Sequence, residues 1–237
     1  PDIFFQAKEA INRFYEPIPD IVNAYMAEIT KITGREYKPF MYYGAPDAEN
    51  IIVAMGSITD TTKEVIDYLA AKGEKAGLLT VHLYRPFSEK YFFDVLPKSV
   101  KKISVLDRTK EPGAPGEPLY LDVKNLFYTR NEKPLILGGR YGLSSKDTTP
   151  SMVLSIFENM KLKEPKDFFT VGINDDVTFR SLPVLPEINV ALPGTHSAKF
   201  YGIGSDGTVG ANKNSIKIIG DTTDKYCQAY FAYDSKK

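Results

Sequence analysis

Apolar residues at Ile3, Phe4, Ala7, Ala10, Ile11 and Phe14 return on one helical stripe, and Ile21, Val22, Tyr25, Met26, Ile29 and Ile32 form a second. This spacing predicts two helices ahead of any strand. Pro17 and Pro19 separate them, Asp20 is placed to cap the second, and Gly34 to end it. Gly34 to Ala48 then reads as a connecting arm whose Tyr37, Phe40, Tyr42 and Tyr43 either cover an apolar neighbour or form a ligand platform. From Asn50 the pattern changes to short apolar runs alternating with helices. Strands are expected at Ile51 to Met55, Ala76 to Leu83, Lys102 to Leu106 and Leu135 to Leu137. Helices are expected at Thr61 to Lys72, after Pro86 and Ser88, through Leu121 and Leu126, and from Pro150 behind the cap Thr149.

Strand-then-helix units with near-continuous apolar strands predict an open α/β domain, its mainly parallel sheet covered by helices on both faces. In such sheets ligands and partners meet the carboxyl ends of the strands. Arg85, Asp107, Arg108 and Arg140 fall at that edge. The arginines there fit either an anion site or a set of ion pairs with acids such as Asp107 and Glu111 that hold loops and domain interfaces. Leu162 to Ser197 has no helical stripe and reads as an ordered bridge, with extended backbone at Phe168 to Ile173 and Ile188 to Ala191.

The stretch after the bridge carries the one chemical motif. Gly202, Gly204 and Gly207 match G-x-G-x-x-G, and the pattern predicts a strand, a tight turn and a helix from Thr208. Unpaired N–H groups at the helix start favour an anion, and Lys213 adds a full charge beside them. A phosphate-bearing ligand is the expectation, contacted by Gly204, Ser205, Asp206, Gly207, Thr208, Val209, Asn212 and Lys213; a purely structural glycine turn has the same spacing. No Gly-Lys-Ser/Thr follows, so nucleoside triphosphate hydrolysis has no support. For NAD, the acid that would close a following strand at Tyr226 to Tyr233 is Asp234, later than the spacing of about 20 residues that a ribose-binding acid needs. The unit reads as the first βαβ of a second, Rossmann-like domain, barely closed at Lys237. Together with Pro1 at the start, it predicts a cut piece of a longer chain.

Composition narrows the partners. Thirty basic and thirty acidic residues cancel in 237, which gives no bulk attraction to nucleic acid or to anionic membrane. Cys227 is the only cysteine, so no disulfide framework and no cysteine-held metal cluster can form within the chain. A reducing, cytoplasmic setting is expected. No apolar run approaches the about 18 residues of a membrane span. A nucleophilic triad lacks a base, because the only histidines are His82, expected in a strand, and His196, in the bridge. No His pair or carboxylate cluster has metal-ligand spacing, and no catalytic or metal-binding residue is assigned.

Several of these stretches resemble pyruvate:ferredoxin (flavodoxin) oxidoreductase, a multidomain thiamine enzyme family. They are Tyr42-Tyr43-Gly44-Ala45-Pro46-Asp47-Ala48, Val81 to Ser88, Val105 to Tyr120, Gly138 to Lys146 and Gly204 to Asn214. The resemblance covers essentially the whole chain. It implies that residues 1–48 end a pyrimidine-binding first domain and that 49–161 are a transketolase C-terminal-like domain. By the same resemblance 162–197 bridge to a third, coenzyme A-associated domain that begins at 198–237. It further implies oxidative decarboxylation of pyruvate with coenzyme A to acetyl-CoA and CO2, with electrons passing to ferredoxin or flavodoxin. The implied cofactors are thiamine diphosphate, Mg2+ and [4Fe-4S] clusters, none complete in this chain. The implied partners are the remaining domains of the polypeptide and a second subunit of a homodimer. An oxidoreductase for another 2-oxo acid, a transketolase-type enzyme, a coenzyme A-binding assembly module and an NAD-binding protein stay open as alternatives.

Overall fold

The structure is a computed structural model that describes residues 1–232. Pro1–Val190 form one compact unit and a second begins at Ala191.

The two helical stripes fold as α1 (Asp2–Tyr15) and α2 (Ile18–Thr33), and Gly34 closes α2 in the left-handed conformation as its position suggested. Asp20 does not cap α2: the cap is Pro17, which offers no side-chain acceptor. The Asp20 carboxylate instead accepts from the Tyr91 hydroxyl at 2.6 Å and the Lys90 ammonium at 2.9 Å, and these two bonds hold it below the usual carboxylate range. α1 buries no residue and α2 only Pro19, so Phe4, Phe14, Tyr25 and Ile32 stay exposed.

Part of the arm is a strand. Phe40–Gly44 (β1) pairs antiparallel with Ala76–Val81, with Phe40 opposite Val81. Five aromatic-rich residues between prolines carry little period of their own; the partner strand, far along the chain, supplies the ladder that makes them extended. The chain continues through β2 (Asn50–Ala54), α3 (Ile58–Ala70), β3 (Ala76–Val81), α4 (Glu89–Val95), β4 (Lys102–Asp107), α5 (Pro118–Leu126), β5 (Leu135–Arg140), α6 (Pro150–Lys161) and β6 (Phe169–Thr170). The sheet order is β1-β3-β2-β4-β5-β6, parallel throughout except for β1.

Helices cover both faces, as the continuous apolar strands require. Ile52, Leu78, Leu106 and Leu137 pack on one side against Val65 and Leu69 of α3 and Val153 and Phe157 of α6. Ile51, Val53, Leu79, Ile103 and Val105 point to the other, against Phe92 of α4 and Leu119 and Val123 of α5. This alternation is the period of two of an extended chain. β5 runs three residues past its expected end because Gly139 lets a neighbour in: a Cβ there would lie 2.5 Å from the Phe169 ring of β6. Thr149 caps α6 by accepting from the Met152 N–H, with Pro150 in the first turn. His82 lies one residue beyond β3 and is exposed, where Pro39 O accepts the N–H groups of both His82 and Leu83 and ends the ladder.

In the second unit the expected helix is present as α7 (Thr208–Thr222). The expected strands on either side of it are not: among the described residues of this unit no segment is a strand. A strand needs a paired edge for its N–H and C=O groups, and α7, which buries no residue, has no sheet beside it in the unit to offer one. Tyr233 and Asp234, which the NAD reading invoked, lie outside the described residues.

Candidate functional site

The carboxyl edge of the sheet is where this topology places chemistry, since β2 has β3 on one side and β4 on the other and the chain reverses its order there. Asp107 ends β4 and is buried. Its two carboxylate oxygens accept the N–H groups of Leu119 at 2.9 Å and Tyr120 at 3.0 Å, at the start of α5. Burial pushes the Asp107 carboxyl up from its ordinary value, against the two N–H groups that pull it down. Its role is to fasten α5 to β4.

The arginines of this edge do not converge on an open anion site. Arg85 pairs with Asp122 of α5 at 2.7 Å, and its guanidinium lies 3.9 Å from the centroid of the Tyr84 ring. Arg108 donates its Nε–H to Gly142 O at 2.8 Å, a residue that turns in the left-handed conformation with φ of 61°. Arg140 donates to Phe168 O at 2.8 Å and lies 2.9 Å from Glu117 Oε1 through its Nε. That Nε–H is not aligned on the carboxylate, so the contact is an ion pair rather than a hydrogen bond. The sequence had suggested Asp107 and Glu111 as the paired acids. The actual partners are Asp122, Glu117 and two carbonyls, because Asp107 is already taken by α5.

One consequence concerns Asp107. Asp107→Ala leaves the Leu119 and Tyr120 amides unpaired, at a cost of about 1–3 kcal/mol each. Asp107→Asn keeps one acceptor and removes the buried charge, so it is expected to cost less than Asp107→Ala. The pH dependence has a definite sign. A carboxyl whose folded pKa is raised contributes its stability below the unfolded value near about 4, and that contribution is lost as pH rises through the folded value. Urea midpoints of wild type and Asp107→Asn at about pH 4 and about pH 7 should therefore show the wild type losing ground to the variant as pH rises. A gap between the two that stays constant with pH would show that the raised value has no thermodynamic weight.

The glycine turn folds as its spacing implies, with Gly204 at φ of 94° and Gly207, the residue before α7, at 80°. Ser205 also takes a positive φ, 53°. Asp206 stands inside the turn: its Oδ2 accepts from the Ile203 N–H at 2.8 Å and its Oδ1 from the Thr208 N–H at 3.0 Å. Bonds from the Thr208 hydroxyl and these amides hold the Asp206 carboxyl below the usual range. It is a fixed negative charge that braces the loop. A Cβ at Gly202 would lie 2.8 Å from that carboxylate, which explains the first glycine of the motif by close approach. The first-turn amides of Val209 and Gly210 have no partner within the helix. Val209 and Lys213 stand one turn apart on the same face, with Asn212 beside them. The Lys213 ammonium lies 5.7 Å from the Phe231 ring centroid. The brace was not legible as such in the sequence, where Asp206 counted only as a ligand contact.

Residues 48–153 match the family described as pyruvate:ferredoxin oxidoreductase core domain II. All of the chain aligns with a pyruvate-flavodoxin oxidoreductase of Enterobacter agglomerans at 62% identity and with a pyruvate:ferredoxin oxidoreductase of Moorella thermoacetica at 56%, in each case over 20% of the relative. The chain thus spans about a fifth of the length of the curated relatives it matches. Among solved structures, the 2-oxoglutarate:ferredoxin oxidoreductase from Magnetococcus marinus, with 2-oxoglutarate, coenzyme A and succinyl-CoA bound, superposes on 52% of this chain and 19% of its own. That superposition has a TM-score of 0.38 and 20% sequence identity.

Proposed function

Because the chain belongs, through residues 48–153, to the pyruvate:ferredoxin oxidoreductase family, we propose that it is the scaffold and cofactor-contact part of an enzyme that oxidatively decarboxylates pyruvate. Coenzyme A takes the acetyl group, CO2 leaves, and the electrons pass to ferredoxin or flavodoxin. The observation that carries this reading is whole-chain identity of 62% and 56% to two oxidoreductases named for pyruvate. The setting is cytoplasmic and the assembly a homodimer; among the described residues no helix is long and apolar enough to cross a membrane.

The thiamine diphosphate, Mg2+ and [4Fe-4S] clusters of such an enzyme call for donor sets. Among the described residues no three His, Cys, Asp or Glu side chains group as metal ligands, and a lone Cys227 cannot supply the thiolates of a cluster. The clusters are therefore assigned to other parts of the polypeptide, and thiamine diphosphate and Mg2+ are placed there on the family resemblance alone. This stretch holds its neighbours through the sheet and its paired arginines, and it offers coenzyme A the glycine turn. The Val209 and Gly210 amides and the Lys213 ammonium receive an anionic group of coenzyme A, with Ser205, Thr208 and Asn212 at its sides, while Asp206 keeps the loop in shape from within.

The test is the full-length polypeptide carrying this sequence, assayed for pyruvate- and coenzyme A-dependent reduction of flavodoxin or ferredoxin. Turnover with another 2-oxo acid and none with pyruvate would replace the substrate. Lys213→Ala is expected to raise KM for coenzyme A roughly tenfold, the loss of one charge-assisted bond, with kcat little changed. An unchanged KM removes the glycine turn from coenzyme A binding.

A further inference from the structure

Residues 173–181, Ile-Asn-Asp-Asp-Val-Thr-Phe-Arg-Ser, form an exposed loop with an unusual amount of internal order. The Asp175 carboxylate accepts the N–H groups of Val177 at 3.1 Å, Thr178 at 2.9 Å and Arg180 at 3.0 Å, together with the Thr178 hydroxyl. The Ser181 hydroxyl accepts the Asp175 N–H at 2.7 Å and donates to Ile173 O at 3.0 Å, where the Thr170 hydroxyl also donates. Thr170 of β6 and Ser181 form a parallel bridge, so the loop is tied to the last edge of the sheet. The Lys166 ammonium donates to Phe179 O at 3.4 Å and Ser181 O at 2.8 Å. The Asp175 carboxyl is held well below the usual range by the bonds of the Thr178 hydroxyl and the loop amides, so the brace persists at neutral pH.

What this brace holds out is apolar. Phe179 is 74% exposed and Val177 80%. Phe179 has a φ of 56° and Phe168, on the floor beneath, 51°. A left-handed backbone is unfavourable for a bulky aromatic and persists only where the surroundings over-determine it. The strain adds nothing to the core, because the Phe179 side chain is not part of one. It orients an aromatic side chain outward beside Arg180, whose guanidinium lies 5.7 Å from the Phe168 ring centroid. A rigid aromatic next to an arginine is the composition of a protein-binding anchor, and pre-ordering removes much of the entropy lost on docking. The hollow among Lys166, Asp167, Phe168, Phe179 and Arg180 is shallow and open, whereas small-molecule sites are enclosing. The carboxylates of Asp167 and Asp175 are turned to backbone amides and the Lys166 ammonium to two loop carbonyls, which leaves Arg180, held only by a long bond to Asp167 O at 3.5 Å, as the cation beside Phe179.

We propose that this loop is a preformed docking knob, anchored by Phe179 and flanked by Arg180, seated in an apolar, acid-rimmed pocket of the same polypeptide outside residues 1–237. The proposal rests on the reading of the chain as part of a longer oxidoreductase, since its relatives are about five times its length. A second copy is the poorer occupant. The acid-rimmed hollow on this chain, lined by Tyr42, Tyr43, Ile66, Asp67 and Glu74, lies by β1, at the opposite edge of the sheet from β6. Its acids are also engaged, Asp67 by Tyr43 and Glu74 by Lys161.

The experiment uses the full-length wild-type polypeptide. Hydroxyl-radical oxidation of Phe179 is compared between the native and the urea-unfolded protein, and Phe179→p-benzoylphenylalanine is photolysed at high dilution and its cross-linked peptides identified. The expected result is at least tenfold protection of Phe179 and cross-links within one polypeptide to a peptide outside residues 1–237. Oxidation as fast as in urea, cross-links between two copies or to another protein, or a native chain of only 237 residues would each overturn the proposal. Pyruvate-dependent reduction of flavodoxin, measured on the same preparation, separates the two readings. Loss of that activity from a protected, cross-linking protein sinks the assigned reaction and leaves the knob, and the reverse result does the opposite.

Discussion

Phe92→Ala is expected to lower the unfolding free energy by about 3–5 kcal/mol, the range for deleting a fully buried phenylalanine. Phe92 is 0% exposed and stands at the centre of an aromatic cluster between α4 and the sheet. Its ring meets Phe40 of β1 edge-on at 5.7 Å, Phe93 at 5.3 Å and Phe127 at 6.2 Å, and lies tilted on Phe87 at 6.1 Å. Because these neighbours come from β1, the loop after β3, α4 and the end of α5, no one of them can move in to fill the space. The cavity term should therefore be near its full value. Urea unfolding should show a lower midpoint with an unchanged slope, since the area exposed on unfolding is nearly the same. Val184→Ala is the natural control: that side chain is 81% exposed, and surface changes of this kind stay within about 0.5 kcal/mol. A Phe92→Ala loss no larger than that of Val184→Ala would mean that α4 is not packed on the sheet.

The difference between Phe92 and Phe179 marks where the sequence could be read. Phe92 belongs to a stripe with Val95 and Leu96, and such local periods were enough for both leading helices, the four central strands and the Thr149-Pro150 helix start. Phe179 belongs to a loop whose conformation is set by Asp175 and Ser181 reaching across several residues, and no period announces that. β1 was missed for the same reason, since its extended state depends on pairing with β3. β6, two residues long, falls within the Phe168 to Ile173 stretch expected to be extended. At the glycine turn the helix and the positive-φ glycines were legible. The position of Asp206 inside the turn was not, because a side chain that bonds its own loop has the same spacing as one that meets a ligand. At the sheet edge the residue types were visible and their partners were not: Asp107 faces α5 and Arg140 faces Glu117 because β4, α5 and β5 meet there in space.

Arg140→Ala is expected to cost about 3–5 kcal/mol, the penalty for leaving a buried charge without its partner. Glu117 is only 2% exposed, and the Arg140 side chain 12%. Removing the guanidinium leaves the Glu117 carboxylate with the Lys110 ammonium at 3.6 Å, which is itself half exposed, and deprives Phe168 O of its donor. The pair need not be a net source of stability for this to hold, because desolvation of two charges offsets much of their attraction. The double variant Glu117→Leu/Arg140→Met should thus recover most of what Arg140→Ala loses. The same substitutions decide what the arginine edge is for. If Arg140 bound an anionic substrate, Arg140→Ala in the full-length enzyme would raise KM for pyruvate at little cost in urea midpoint, and the apolar double variant would be as impaired as the single one. A clamp gives the opposite pattern: a lowered midpoint, KM for pyruvate within about twofold in the folded fraction, and recovery of the midpoint when both charges are removed together. The geometry favours the clamp, since Arg140 already spends its donors on Phe168 O and its charge on Glu117, and both of those ends lie inside the unit that β5 and α5 hold together.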